Sequence, residues 1–363
     1  MATPASPACL ARRYPDARAA FLAAAAAAGA EVDTTPHPLR GLDDEALGVD
    51  VAWLGPADAR AVLLVVSGTH GVEGYLGSAL QIDHLRGVLD GVDRPDDVAV
   101  VFVHALNPFG FSWVRRVNED NVDLNRNFVD WEAPPPTNEP YAELADILVP
   151  TSWTEDEQER TLLALLERVE ATSLESIQQT ISGGQFAHPT GLFYGGAGPT
   201  WSNDWLRSFC ADRLGGVERL AVIDLHTGLG PRGHGELISS EHPGSTAYGR
   251  QKAWWDGVIS LHESGSVSAE LVGEWIADLG SMVPAAEITA IAIEYGTVDS
   301  ITVLQSLRAD AVLHGHRDPT APDAAHIRAQ VREAFLDEDP AWLDACRPRY
   351  AEVAGAALRQ LAG

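Results

Sequence analysis

The side chains of His70 and Glu73, three residues apart in Ser67-Gly-Thr-His70-Gly-Val-Glu73-Gly, offer an imidazole nitrogen and a carboxylate oxygen that can share one metal ion. Both donors are ordinary zinc ligands, and three protein ligands plus a water make a site that catalyses rather than one that only braces a fold. A third ligand is available in Asp224-Leu-His226-Thr-Gly, where a His is again followed by a glycine. Glu294, at the end of Ile288-Thr-Ala-Ile-Ala-Ile-Glu294-Tyr-Gly296, is a carboxylate in apolar company. Burying it there is costly unless it has a partner or a task. The polar string Asn118-Glu-Asp-Asn-Val-Asp123-Leu-Asn125-Arg126-Asn-Phe128 would ordinarily read as a solvated loop. Its apolar anchors Leu124 and Phe128, and Arg115-Arg116 just upstream, point instead to a built site.

These groups must be held by a rigid frame. Ala61–Val66 is an unbroken apolar run that predicts a buried strand ending just before His70. Further strands are predicted near 48–54, 98–104, 219–225 and 288–294. The chemistry-bearing residues then fall at strand carboxyl ends, where open α/β sheets place their ligand sites. Alternation of strand-like and helix-like segments predicts an α/β fold with a mixed, mostly parallel central sheet flanked by helices. A helix is expected from about 78 to 89 with Gly77 in the turn before it, and another over roughly 16–29. The latter is alanine-rich and interrupted by Asp16 and Arg18, so it reads as an amphipathic helix rather than a cleaved leader. Thr154 with Glu157 resembles a capping box opening a polar helix whose apolar face is Leu162, Leu163, Leu165, Leu166 and Val169. Ala133-Pro-Pro-Pro-Thr137 is a loop. Gly183-Gly184 and Gly195-Gly-Ala-Gly198 bracket an irregular stretch suited to a rim or lid. The expectation is one catalytic domain over 1–363, with core motifs in 60–300 and a mostly helical extension over 300–363.

Composition narrows the partners. The 363 residues carry 25 Lys+Arg against 52 Asp+Glu, a formal charge of −27. That disfavours nucleic acid and anionic membranes as bulk electrostatic partners. No apolar stretch approaches the ~20 residues a spanning helix needs. Three scattered cysteines (Cys9, Cys210, Cys346) imply no disulfide framework and fit a reducing cytoplasm.

His70-x-x-Glu73, Asp123-x-Asn125-Arg126-Asn127, Asp224-Leu-His226 and Glu294 occur in the order found in zinc carboxypeptidases of the carboxypeptidase A type, which the chain resembles over about residues 60–300. The forms Gly-Thr-His-Gly-x-Glu, Asp-Leu-Asn-Arg and Asp-Leu-His are also similar to the aspartoacylase and succinylglutamate desuccinylase branch of that superfamily. More specifically, the chain resembles a bacterial group of carboxypeptidase-like proteins long filed as a domain of unknown function. The resemblance implies a zinc-carboxypeptidase-like (phosphorylase/hydrolase-like) fold and one Zn²⁺ on His70, Glu73 and His226. Asp123 would steady a ligand histidine, Asn125 and Arg126 would receive a substrate carboxylate, and Glu294 would be the general base. Arg116 or Arg115 would polarise the scissile carbonyl, the spacing to Arg126 being shorter than the family's. No tyrosine has motif support, Tyr248 and Tyr295 being the candidates.

A metallocarboxypeptidase is the first functional expectation. An N-acyl amino acid deacylase is the second, and a non-catalytic zinc- or ligand-binding protein the third. Of the remaining histidines, His234, His242 and the His314-Gly-His316 triplet read as surface groups, and Trp254-Trp255 as core or rim aromatics.

Overall fold

The structure, a computed structural model, describes residues 8–263 and 265–362. One eight-stranded sheet runs through it, formed by β1 (Glu31–Arg40), β2 (Ala46–Leu54), β3 (Ala61–Ser67), β4 (Val98–His104), β5 (Arg219–Arg232), β6 (Gly235–Ser239), β7 (Val258–Ser260) and β8 (Glu287–Gly296). The helices are α1 (Tyr14–Ala27), α2 (Gly74–Leu85), α3 (Pro108–Trp113), α4 (Ala145–Leu148), α5 (Glu155–Ala171), α6 (Leu174–Ser182), α7 (Trp201–Arg213), α8 (Thr246–Trp254), α9 (Leu279–Met282), α10 (Ser300–His316), α11 (Ala324–Phe335) and α12 (Pro340–Leu361).

The sheet order is β1-β2-β4-β3-β5-β8-β6-β7. Its centre, β4-β3-β5-β8, is parallel, while β1 pairs antiparallel with β2, β2 with β4 and β6 with β8, and β7 closes the edge parallel to β6. This is the mixed sheet flanked by helices that the sequence predicts. All seven residues of β3 are buried, as a strand covered on both faces must be. Side chains alternate between two cores. Leu63 and Val65 join the cluster that contains Phe21 of α1, Leu80 of α2 and Tyr350 of α12. Val62, Leu64 and Val66 join Leu206 of α7 and Leu279 of α9 on the other face.

The chain leaves β3 through α2 to reach β4 on one side, then returns to β5 on β3's other flank. That reversal opens a crevice at the carboxyl ends of β3 and β5. Ser67 pairs with Leu225, and His226 with Glu294, so the ends of β3, β5 and β8 lie level.

Two differences from expectation have simple causes. α2 begins at Gly74 rather than 78, and Gly77 lies inside it. A Cβ on Gly77 would come within 2.5 Å of the Ser67 Cβ, so glycine is there for close helix–strand packing and not for a turn. β1 was not anticipated, since it is an exposed edge strand carrying Pro36 and Pro38. The segment after 300 is helical, and α10 and Phe335 of α11 line the same cavity as His70.

Candidate metal centre

The turn that carries His70 is stitched to the loop before Arg116. Leu106 N–H donates to Ser67 O at 3.0 Å and Asn107 N–H to Gly68 O at 2.8 Å. In return, Gly71 N–H donates to Arg116 O at 3.1 Å and Val72 N–H to Arg115 O at 2.8 Å. With the backbone fixed, His70, Glu73 and His226 converge. One ligand atom from each lies within 4.8 Å of the others, and no second group of this kind occurs among the described residues.

The far side of each imidazole explains why the near side can bind a cation. His70 Nε2 lies 3.2 Å from Asp123 Oδ1, and His226 Nε2 lies 2.7 Å from Asp224 Oδ2. A carboxylate accepts only, so each Nε2 carries the hydrogen and each Nδ1 presents its lone pair. The two Nδ1 atoms face each other at 3.1 Å. Glu73 reaches both, with Oε1 3.0 Å from His70 Nδ1 and Oε2 2.9 Å from His226 Nδ1. Two lone pairs and a carboxylate aimed at one point repel unless a proton or a metal cation sits between them. The donor set therefore fits a divalent metal.

Without a metal, a proton takes that place on His226. Burial would raise the Glu73 carboxyl, but His70 and His226 outweigh it and hold its pKa well below the usual range. Burial would lower His226, yet Asp224 and Glu73 lift it well above an ordinary histidine. Asp224 is itself held by Thr69 Oγ1 at 2.8 Å and Trp275 Nε1 at 2.7 Å. Such partners fix the ring orientation and raise ligand basicity. Burial would likewise raise Asp123, but Arg116, Arg126 and His70 pull it well below the usual range.

Beside this centre lies a cavity of about 260 Å³, lined by His70, Arg116, Asn125, Arg126, His226 and Glu294 among others. Arg116 is the arginine of the pair that faces it. Its Nε donates to Asp123 Oδ2 at 3.0 Å and its Nη1 to Glu73 Oε1 at 3.2 Å. Arg115 turns away to Asp310 Oδ2 at 2.9 Å and does not line the cavity. Arg126 is buried, anchored through Nη2 to Ser182 O at 2.6 Å and through Nη1 to Asn125 O at 2.8 Å. Burial lowers its pKa despite Asp123, an imbalance that an incoming anion would relieve. Asn125 Oδ1 is buried without a protein partner, an acceptor suited to a ligand N–H, while a carboxylate would be met by the amide's Nδ2.

Glu294 projects into the same cavity from β8, its Oε1 accepting from Leu229 N–H at 3.0 Å. Burial, with Glu73 adding to it, raises its pKa to about 7. The carboxylates Glu73, Asp123, Asp224, Glu274 and Glu294 here outnumber the guanidiniums Arg116 and Arg126, a balance that a divalent cation improves.

Several residues of the site carried no sequence signal. Phe193, at φ +53°, lies under both guanidiniums, 5.3 Å from Arg116 Cζ and 5.4 Å from Arg126 Cζ. It comes from the irregular 183–198 stretch expected to form a rim. Glu274, bonded to the Ser240 hydroxyl, and Trp275 come from an irregular segment with no motif. Neither tyrosine candidate enters. Tyr295 points to the opposite face of β8 from Glu294, and Tyr248 bonds to Glu263. His242 stacks on His262 outside the cavity with ring centroids 3.6 Å apart, and His234 is also absent from the lining. His314 is half-buried against Trp113, burial lowering its pKa to about 4, while His316 is exposed. Trp255 is a core residue bonded to Val353 O at 3.0 Å.

Residues 10–347 match the family described as protein of unknown function (DUF2817). No curated protein matches the chain. Among solved structures, it is similar to carboxypeptidase A from Helicoverpa armigera, at 11% identity and a TM-score of 0.47 over 89% of this chain and 74% of that one. A metallo-carboxypeptidase from Burkholderia cenocepacia is similar at 14% identity and TM-score 0.39, over 94% and 67%. An aspartoacylase family protein from Mesorhizobium loti is similar at 14% identity and TM-score 0.37, over 78% and 66%.

Proposed function

The chain belongs to the DUF2817 family of proteins of unknown function, and we propose that it is a zinc-dependent hydrolase cleaving an amide bond next to a free carboxylate. The observation that carries this reading is the convergence of two carboxylate-backed imidazole nitrogens and Glu73 beside Glu294 and a buried arginine in one cavity. His70, Glu73 and His226 would hold the zinc. When bound, zinc supplies a Lewis acid and acidifies water towards a pKa of ~7.

This chain's own groups do the rest. Asn125 and Arg126 bind the substrate carboxylate, an arginine fork being able to give two parallel hydrogen bonds. Arg116 donates to the carbonyl oxygen as negative charge develops on it. The Glu294 carboxylate takes a proton from the attacking water and returns it to the leaving nitrogen. Asp123 and Asp224 keep the two imidazoles in the tautomer the centre needs.

A C-terminal exopeptidase and an N-acyl amino acid deacylase both present a carboxylate beside the scissile amide. Motif order supports the carboxypeptidase reading, while the Gly-Thr-His-Gly and Asp-Leu-Asn-Arg forms and the aliphatic lining of the cavity favour the deacylase. A panel of peptides and N-acyl amino acids offered to zinc-loaded protein separates them. Cleavage of neither class at full zinc occupancy would overturn the reading and leave a binding protein.

A further inference from the structure

The cavity beside the metal centre continues as an aliphatic channel roofed by three helices. α5 presents Leu162, Leu165, Leu166 and Val169 to it, a spacing of i, i+3, i+4, i+7. α6 does the same with Leu174, Ile177, Gln178 and Ile181, and α10 with Ser300, Val303, Leu304 and Leu307. Amphipathic helices normally turn that stripe onto a core. Here the inner residues Leu165, Ile177, Ile181, Val303 and Leu307 are buried in the core, yet all three stripes also line one cavity, and Leu166, Leu174 and Ile301 remain 46%, 68% and 58% exposed around its mouth.

The roof is tied in place. Buried Arg308 of α10 donates to Leu148 O at 2.9 Å, Ile147 O at 2.7 Å and Thr161 Oγ1 of α5 at 2.6 Å. Ser182, the last residue of α6, accepts from Arg126, and Asn138 Nδ2 donates to Thr180 O at 2.9 Å. α6 therefore runs from the mouth at Leu174 to the proposed carboxylate site at Arg126. Its nine residues span about 13 Å.

From this lining we infer that the substrate is an N-acyl amino acid with a medium- to long-chain aliphatic acyl group, which lies in the channel. The inference rests on the amide-hydrolase reading above and names its substrate class. A peptide threaded along these stripes would leave backbone N–H and C=O groups without partners, each weakening binding about tenfold or more. A hydrocarbon chain has no such groups. An extended chain advances roughly 1.2 Å per bond, so about 13 Å takes about eleven bonds, three of them between the carboxylate carbon and the acyl carbon, which leaves room for about eight acyl carbons. In the reaction, the acyl carbon–nitrogen bond breaks, water's oxygen bonds to the acyl carbon and a proton goes to the nitrogen, releasing a fatty acid and an amino acid.

The test compares N-acetyl-, N-octanoyl- and N-dodecanoyl-amino acids with zinc-loaded protein, and measures binding of the acetyl and dodecanoyl compounds to metal-free protein by calorimetry. The expected kcat/KM rises about fourfold per methylene and levels off at about eight carbons. Ile177→Trp, which fills the channel, should cut the dodecanoyl-to-acetyl ratio at least tenfold. Leu174→Glu, at an exposed position that folding tolerates, should cut it about fivefold. Hydrolysis without chain-length preference, or a preference that survives Ile177→Trp, overturns the channel and leaves the hydrolase reading standing. If no amide is cleaved, the hydrolase reading falls and calorimetry judges the channel alone. Dodecanoyl binding a hundredfold tighter than acetyl supports it, and equal binding overturns it.

Discussion

The floor and the roof of the cavity are built on opposite principles. The floor is polar, set on the ends of β3, β5 and β8, and nearly every group in it is oriented by a second one: Asp123 behind His70, Asp224 behind His226, Thr69 and Trp275 behind Asp224. The roof is aliphatic, set on α5, α6 and α10, and has shape but little direction. Chemistry needs atoms held to within fractions of an ångström, which parallel strands in register provide. Recognition of an apolar chain needs only area and volume, which helix stripes supply.

Substitutions should therefore be costly in the floor and gradual in the roof. His226→Ala should remove bound zinc and with it all measurable hydrolysis. Asp224→Asn, which touches only the other side of that ring, should weaken zinc about 10- to 100-fold. Metal analysis after dialysis checks both, and equal zinc in His226→Ala and the native protein would break the ligand assignment.

Glu294→Gln should lower kcat about 10³-fold, within the usual range for a general base. The pH profile sharpens this assignment. Glu294 can accept a proton only when ionised, so kcat/KM should fall tenfold per unit as pH drops below its pKa. Burial places that pKa at about 7 without metal, and a divalent cation nearby stabilises the carboxylate, so the acid limb should lie below 7. A limb near pH 8, or one retained in the Gln variant, would contradict the role.

Arg126→Ala should raise KM about a hundredfold with a smaller effect on kcat, because it removes a buried charged partner of the substrate carboxylate. Steady-state kinetics on substrates with and without that carboxylate decides this, and an unchanged KM removes Arg126 from the site.

The smallest effect belongs to the roof. Leu63→Ala, in the packed heart of β3, should cost about 3–5 kcal/mol of stability, while Leu165→Ala, beside an existing cavity, should cost under about 2 kcal/mol. Denaturant melts distinguish them, and equal losses would mean that the stripe packs as core.

The same contrast governs what could be read in the sequence. His70, Glu73, His226 and Glu294 were legible because ligand-type residues recur at the ends of apolar runs, and strand topology then leaves few places for them to meet. Arg116 could not be chosen over Arg115 without the backbone bonds that turn one inward and the other to Asp310. Phe193, Glu274 and Trp275 were invisible because irregular segments carry no periodicity that predicts direction. The stripe of α5 was found as an apolar face. Periodicity reports that a face avoids water, but it does not say whether a core or a ligand covers it.

The most direct test of the central claim is a zinc titration of chelator-stripped protein, following hydrolysis of an N-dodecanoyl amino acid. The account predicts that the rate climbs linearly and breaks sharply at one zinc per chain. A rate independent of zinc, or none at full occupancy, would contradict it.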